Sequence, residues 1–509
     1  MSREGEMMGD NAVGSLLNLQ EHLEGQQAAS RGPVAIIGAG PAGLTAAYEL
    51  AKQGIRVDVY EAAPEVGGMS KTIELWGQLV DIGPHRFFST DARVNRLWLE
   101  VAGQDYEMVD RQTRILYKKN FFQYPITALD ALRKLGVFEA ARCVISYGLQ
   151  LLAPAKEAKT FEDWVVKAFG RRLFEIFFKS YSEKLWGIGC DELDADFAAQ
   201  RIKKFSLGEA MKVALGLSGK RKHKTLADRF AYPKEGTGMI YRRIEQYLRD
   251  QGHGVHLSTP VARVVVEKGA VRGLELVADG RFIPYDNVVS TMPMTTVLRA
   301  LPEVPAEVRA HAEKLKFRNT ILVYLHVAAD GLFPDNWLYI HSPELKTGRI
   351  TNFRNWAASI NRGQTNSILA LEFWANDDEP LWQASDAELE ELARREIAAT
   401  GLAKAADVRE AMVYHVRRSY PVYSAGYKEH LKPVEQYLST IQGFQAIGRY
   451  GAFKYNNQDH SILMGLLAAD NILQGRSAND LWSVNTDYET YQEATRITET
   501  GLVMAGESR

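Results

Sequence analysis

Apolar residues follow two patterns along this chain, and each pattern predicts a different kind of element. Between residues 127 and 230, apolar positions recur at i, i+3 and i+4, which predicts a helical insertion. Similar spacing predicts helices at 91–102 and 459–473. Short apolar runs that predict strands lie at 34–37, 261–267, 274–278, 287–290, 320–327 and 367–373. This order of blocks predicts an α/β domain built from separated pieces of chain, with helical and antiparallel-sheet segments inserted.

A glycine-rich turn joins the first predicted strand to an Ala- and Leu-rich helix. Gly38 permits the tight turn, Gly40 lets the backbone approach a pyrophosphate, and Gly43 lets the helix and strand pack closely. The helix N-terminus adds positive dipole charge. Glu61 ends the next strand, at the spacing where a carboxylate accepts hydrogen bonds from ribose hydroxyls. The pattern predicts a dinucleotide-binding βαβ unit.

Length and composition are those of an ordinary soluble enzyme. A chain of 509 residues should hold two or three domains. Because the formal net charge is −2, a nucleic-acid partner is not expected. The two cysteines, Cys143 and Cys190, exclude a disulfide framework and offer no metal-ligand spacing. We therefore expect a cytoplasmic protein with no metal.

Two further segments bear on location. Residues 1–31 are polar and have no basic-then-apolar order, so a disordered tail rather than a signal peptide is expected. The most apolar segment, 144–154, is far shorter than the ~20 residues that cross a bilayer. It is expected to form a buried or surface-docking helix, and no transmembrane segment is predicted.

The segment 447–472 carries the most specific motif of the chain. Its Gly448-Arg-Tyr-Gly and its Asn457-Gln-Asp-His-Ser resemble the flavin-binding end of UDP-galactopyranose mutases. The Gly67-Gly68 pair after Glu61 is similar to that of flavoproteins of the glutathione-reductase type, which favours FAD over NAD. Amine oxidases, protoporphyrinogen oxidases and phytoene desaturases share the first motif. Further islands of similarity to the mutases are Gly83–Ser89, Tyr124-Pro125, Tyr181–Trp186 with Arg201, and Trp337–Tyr339 with Arg349.

The resemblance implies a Rossmann-type FAD-binding domain with an inserted helical domain and an antiparallel-sheet substrate domain. The helix near Asp459 would present its free N–H groups and positive dipole to reduced flavin. An ordinary cap by Asp459 or Ser461 is the alternative. The implied cofactor-binding residues are Gly38, Gly40, Pro41, Ala42, Gly43, Glu61, Ala62, Gly67, Gly68, Met69, Gly83, Pro84, Val261, Arg449, Asn457, Gln458, Asp459 and Ser461.

The resemblance also implies a substrate site. Arg201 and Arg349 would clamp the diphosphate of a nucleotide sugar. His85 would lie against the flavin, and Tyr455 joins these three as the implied catalytic set. The implied substrate-binding aromatic residues, which are suited to a polar sugar but equally common in cores, are Tyr124, Trp186, Trp337, Tyr339 and Tyr420.

The domain boundaries expected on this basis alternate along the chain. The FAD-binding parts are placed at 32–110, 231–300 and 431–475, and a C-terminal helix and tail at 476–509. The substrate parts are the helical insertion at 111–230 and the sheet at 301–430.

The implied activity is that of an isomerase. Reduced FAD would interconvert pyranose and furanose forms of a UDP- or TDP-sugar such as UDP-galactose, through a flavin N5–sugar adduct. NAD(P)H would be the reductant. A flavin oxidase or desaturase is the first alternative, and a binding protein of the GDP-dissociation-inhibitor type is the second. The sugar, the base and homo-oligomerisation stay open.

Overall fold

The computed structural model of the protein describes residues 32–126, 128–154, 157–196, 229–475, 478–485 and 495–504. Within these ranges the chain folds into two compact units. The first unit contains the described parts of 1–68, 241–309 and 434–485, and the second contains those of 69–240, 310–433 and 486–509. Residues 69–110, which the sequence assigned to the cofactor domain, therefore belong to the second unit.

A five-stranded parallel sheet forms the centre of the first unit. Its order is Phe444–Ala446, Asn287–Ser290, Val34–Ile37, Val57–Tyr60 and Gly254–His256. Every residue of Val34–Ile37 is buried, as expected for a central parallel strand covered on both faces. A three-stranded antiparallel sheet, Val261–Glu267, Ala270–Leu276 and Phe282–Pro284, accompanies it. The predicted α/β domain assembled from separated pieces of chain is confirmed.

A seven-stranded sheet forms the centre of the second unit. Its order is Val408–Val422, Lys316–Val327, Ser367–Ala375, Arg349–Asn352, Trp337–Ile340, Thr113–Tyr117 and Asn120–Gln123. All neighbours are antiparallel except Trp337–Ile340 with Thr113–Tyr117, which are parallel. Ser367–Ala375 is buried at every position, so hydrophobic clusters lie on both of its faces. Two-stranded pairs join Thr72–Leu75 with Gln78–Asp81, Tyr106–Asp110 with Arg229–Pro233, and Thr495–Thr498 with Gly501–Met504.

Helices make up most of the remaining described chain. The α-helices are Pro41–Lys52, Ala92–Ala102, Ala128–Leu135, Val137–Leu152, Phe161–Phe169, Arg171–Phe174, Ser180–Trp186, Gly238–Asp250, Met294–Ala300, Ala306–Lys314, Pro380–Gln383, Asp386–Thr400, Tyr427–Ser439, Gly448–Gly451 and Gln458–Gln474. A π-helical turn, Glu175–Lys179, connects two of them. The predicted helical block at 127–230 is helical up to Trp186, but Arg229–Pro233 is a strand. Within 476–509, where a C-terminal helix and tail were predicted, the described residues 495–504 form a hairpin.

Candidate cofactor and substrate sites

The glycine-loop site of the first unit, defined by Gly38, Gly40, Gly43, Glu61 and Gly68, leaves no room for a side chain at Gly38 or Gly43. A Cβ at Gly43 would lie 2.0 Å from the Gly38 carbonyl oxygen. Gly38 has a φ of +98°, and a Cβ there would lie 2.0 Å from Thr291 Oγ1. Among the described residues no side chain caps the helix at Gly40, so its first amides remain available to an anion.

The Glu61 carboxylate is fixed at the mouth of this loop. One of its oxygens accepts a hydrogen bond from the Ala39 amide at 2.7 Å, and the other accepts one from Ala63 at 2.8 Å. The Gly67 amide donates to the Ala39 carbonyl at 2.7 Å, which brings the second glycine pair to the same loop. The carboxylate is thus oriented by backbone amides while each oxygen keeps a lone pair for a ribose hydroxyl.

The Gln458–Gln474 helix packs on the glycine-loop helix Pro41–Lys52. A Cβ at Gly465 would lie 2.5 Å from the Ala42 carbonyl oxygen, so only glycine allows this approach. The helix begins one residue before the predicted start, with Asn457 as its N-cap, rather than Asp459 or Ser461. The Asn457 amide donates to His460 Nδ1 at 3.3 Å. Gln458, Asp459 and Ser461 are buried in the first turn.

Cationic side chains precede this helix end. Arg449 donates from Nη1 to the Asn456 carbonyl at 2.8 Å, and its guanidinium lies 4.6 Å from the Tyr455 ring centroid. Lys454 is also buried, and burial lowers the pKa of its ammonium to about 8. Together with the helix dipole, these groups favour a negative charge beside the glycine-loop site.

In the second unit, a buried carboxylate supports the Gly83-Pro84-His85 turn. Asp81 accepts hydrogen bonds from the Thr72 hydroxyl at 2.6 Å and the Tyr232 hydroxyl at 2.7 Å. It also accepts one from the Thr237 amide at 3.1 Å, and the Thr237 hydroxyl donates to the His85 carbonyl at 3.0 Å. Burial raises the pKa of Asp81 to about 6 despite these donors. We call Thr72, Asp81, Tyr232 and Thr237 the Asp81 network.

Arg349 lies on a strand directly opposite Glu372. The guanidinium Nε and Nη2 donate to the two carboxylate oxygens at 2.7 and 2.5 Å, which is a bidentate pair. Glu372 is fully buried, and a Cβ at Gly83 would lie 3.7 Å from its Oε1 and 3.9 Å from His85 Cε1. The predicted residues His85, Gly83 and Arg349 therefore lie around one carboxylate that the sequence reasoning missed.

Aromatic side chains surround this ion pair. The Tyr339 ring lies 4.7 Å from Tyr124 and 5.6 Å from Tyr181, and Tyr181 lies 5.8 Å from Trp374. Tyr420 lies 6.3 Å from Trp374 and 6.0 Å from Trp186. We call Tyr124, Tyr181, Tyr339, Tyr420, Arg349 and Glu372 the tyrosine–arginine cluster.

The remaining predicted site residues lie in the core, beside the glycine loop or outside the described residues. Trp337 is in the hydrophobic core, with its ring 5.9 Å from Trp356, and Trp186 is fully buried. Met69 lies in the 3₁₀ turn Gly68–Ser70, and Val261 begins a strand. Pro41 and Ala42 open the first helix, and exposed Ala62 follows Glu61. Arg201 lies outside the described residues.

Several residues of these sites were not predicted. They are Thr291 and Lys454 in the first unit, and Asp81, Thr237, Glu372 and Trp374 in the second. Glu372 is a single acid in the otherwise apolar run Ser367–Ala375. Because an acid is almost never fully buried without a partner, this pattern could have predicted a buried ion pair at Glu372.

The sequence profile of the flavin-containing amine oxidoreductase family matches residues 41–473. The chain belongs to this family. Membership of this family implies FAD as the cofactor. The uncapped amides at Gly40, the oriented Glu61 carboxylate and the helix N-terminus at Asn457 fit a dinucleotide with an anionic end.

Similar proteins fall in different branches. The chain is 26% identical to zeta-carotene desaturase of Zea mays over 53% of its length and 52% of the relative. It is 29% identical to the "Probable UDP-galactopyranose mutase" of Klebsiella pneumoniae over 34% of its length and 46% of the relative. These matches span about half of the curated relatives. A crystal structure of reduced UDP-galactopyranose mutase matches with a TM-score of 0.79 and 22% identity, covering 90% of this chain and 98% of that one. At this identity the structural likeness shows the fold.

Proposed function

We propose that the protein is a nucleotide-sugar mutase, which interconverts the pyranose and furanose forms of a UDP- or TDP-sugar such as UDP-galactose. The main observation that supports this proposal is the position of Arg349 among tyrosines in the second unit. The two bonds to Glu372 occupy Nε and Nη2, and a guanidinium has five N–H donors in a fixed plane. Glu372 therefore orients the Nη1 edge, which can donate to a diphosphate.

The tyrosines suit a sugar better than an apolar chain. Tyr124, Tyr181 and Tyr339 each offer an apolar ring face and a hydroxyl at the edge of the ring. This combination suits a polar, hydroxyl-rich substrate, whose ring packs on the apolar faces while its hydroxyls meet polar groups. Arg201 is proposed as the second cation for the diphosphate, because Glu372 already neutralises part of the charge of Arg349.

FAD, when bound and reduced, supplies a nucleophile for the anomeric carbon of the sugar. The residues of this chain bind and orient. Arg449, Lys454 and the Asn457 helix end stabilise a negatively charged cofactor. The Asp81 network holds the His85 turn through the Thr237 hydroxyl. NAD(P)H is proposed as the reductant.

The test is an anaerobic assay on the purified flavoprotein with a panel of UDP- and TDP-hexoses. We expect a furanose product by chromatography only after dithionite reduction, with no net consumption of electrons. No product from any sugar would contradict the proposal.

Arg349→Lys keeps the charge but loses the planar fork. We expect kcat/KM to fall by about tenfold to a hundredfold, since a charge-assisted bond contributes about 1.5 to 3 kcal/mol. Flavin content should stay unchanged. Arg362→Lys is the matched control, because Arg362 pairs with Glu74 at an exposed position. An equal loss in both variants would contradict the role of Arg349.

A flavin-dependent desaturase or oxidase is the second candidate, because the similarity to zeta-carotene desaturase covers more of the chain than that to the mutase. This function requires the oxidised flavoprotein to be competent and a final electron acceptor to be consumed. Oxygen uptake or quinone reduction with an amine, porphyrinogen or polyene substrate would support it.

A further inference from the structure

The helix Val137–Leu152 exposes large apolar side chains along its whole length. Phe138 is 90% exposed and Leu152 is 83% exposed. Soluble proteins rarely expose a contiguous apolar patch beyond a few hundred Å², so such a face marks an interaction site. The other exposed large apolar side chains of this helix are Val137, Val144, Ile145, Leu149 and Leu151.

The helix is held rigidly by its opposite side. Cys143 and Tyr147 are buried, and a Cβ at Gly170 would lie 2.9 Å from Tyr147 Cα, so the helix backbone packs directly on the turn at Gly170. At 3.6 residues per turn, Phe138, Ile145, Leu149 and Leu152 lie opposite the Cys143–Tyr147 side. The apolar row is therefore presented outward on a fixed platform.

In three ion pairs near this row, the cation is more exposed than its acid. In the Arg142–Glu139 pair the cation is 68% exposed and the acid 25%. The same holds for Lys134 with Asp130, at 40% and 15%, and for Arg171 with Glu162, at 56% and 20%. In a fourth pair, Arg172 with Glu175, the acid is the more exposed partner, at 40% against 31%. Three of these four pairs therefore present the cation to an approaching surface.

We infer that the apolar face of Val137–Leu152 docks on the surface of an anionic lipid bilayer. Among the described residues no helix is both long and apolar enough to cross a membrane. A helix of 16 residues with an apolar row and flanking cations lies in the plane of the interface, with its apolar side chains among the acyl chains. A two-fold contact with a second copy would instead bring equivalent cations together.

Vesicle flotation of the full-length flavoprotein tests this inference and does not depend on the reaction catalysed. We expect the protein to float with phosphatidylcholine vesicles containing phosphatidylglycerol, and less with phosphatidylcholine alone. The double variant F138S/L152S should reduce the bound fraction about tenfold, because two large side chains no longer enter the acyl region. Arg142→Glu should reduce binding to the anionic vesicles only.

The matched control is V277S/F282S, which removes two exposed apolar side chains elsewhere and should float like the wild type. Flavin absorbance and thermal unfolding confirm that each variant is folded. Absence of flotation, or flotation unchanged in F138S/L152S, overturns the inference. A concentration-dependent dimer by light scattering that F138S/L152S abolishes, without flotation, assigns the face to a second copy instead.

Discussion

The two candidate sites are built from different chemical groups. The glycine-loop site of the first unit uses mainly the backbone, whereas the tyrosine–arginine cluster of the second unit uses side chains. In the glycine-loop site, the groups that face a ligand are mostly backbone amides, and even the Glu61 carboxylate is held by the amides of Ala39 and Ala63. In the tyrosine–arginine cluster, the groups are side chains from distant segments, and Arg349 with Glu372 carries buried charge of both signs.

This difference determines which changes each site tolerates. A backbone site fails when a Cβ enters it, but it does not depend on the balance of buried charges. A side-chain site accepts a change of shape more readily, but removal of one ion leaves the other buried and uncompensated. Three experiments sharpen or break this contrast.

The largest effect is expected for Gly43→Val. The new Cβ would lie 2.0 Å from the Gly38 carbonyl oxygen and 3.2 Å from Ile36 Cγ2, so strand and helix must separate. We expect loss of bound flavin and a decrease of more than about 3 kcal/mol in the free energy of unfolding. Flavin absorbance per protein and urea unfolding measure both. Gly331→Ala, which adds a Cβ in open space, should change neither.

The next effect concerns the buried ion pair. Arg349→Met and Glu372→Leu should each lower the free energy of unfolding by about 3 to 5 kcal/mol, because each leaves a buried charge. The double variant should lose much less than the sum, and all three proteins should keep their flavin. Urea unfolding of the four proteins gives the coupling energy. Additive losses would show that the two charges are not coupled.

The smallest effect is a pH dependence from Asp81. Its pKa is raised from 3.8 to about 6 by burial, so the unfolded chain releases this proton at lower pH than the folded protein. The stability contribution is therefore full below pH ~4 and is lost as the pH rises to ~6, by about 3 kcal/mol. Asp81→Asn should remove the pH dependence of the free energy of unfolding over this window, as measured by urea unfolding at each pH. Asp378→Asn, at an exposed position, should leave that pH dependence unchanged. If the free energy of unfolding of Asp81→Asn still changed with pH as in the wild type, another group would be responsible for the dependence.

Much of the first unit could be predicted from the sequence because its signals are local. The strands Val34–Ile37, Val261–Glu267 and Asn287–Ser290 have the bounds that the apolar runs predict. Elements whose bounds depend on partners distant in the sequence were predicted less well. Lys316–Val327 begins four residues before the predicted start at 320, since Arg318 is buried there through an ion pair with Glu379. Val408–Val422 was missed, because the adjacent charged pairs Arg409-Glu410 and Arg417-Arg418 interrupt its apolar pattern.

The sites divide in the same way. The glycines and Glu61 are adjacent in the sequence to the elements they serve, so spacing alone predicts their roles. The Asp81 network joins residues from positions 72 to 237, and Glu372 meets Arg349 only through strand pairing. Periodicity carries no information on such pairings. The resemblance supplied Arg349, and the roles assigned to the individual site residues remain predictions.

The strand Phe444–Ala446 has a consequence for biosynthesis. It completes the parallel sheet beside Asn287–Ser290, yet the segment 310–433 of the second unit lies between these two strands in the sequence. On the ribosome, the glycine turn emerges early, but the strand Phe444–Ala446 and the Gln458–Gln474 helix that packs on Pro41–Lys52 emerge much later. Until then, the edge of the nascent parallel sheet beside Asn287–Ser290 stays open.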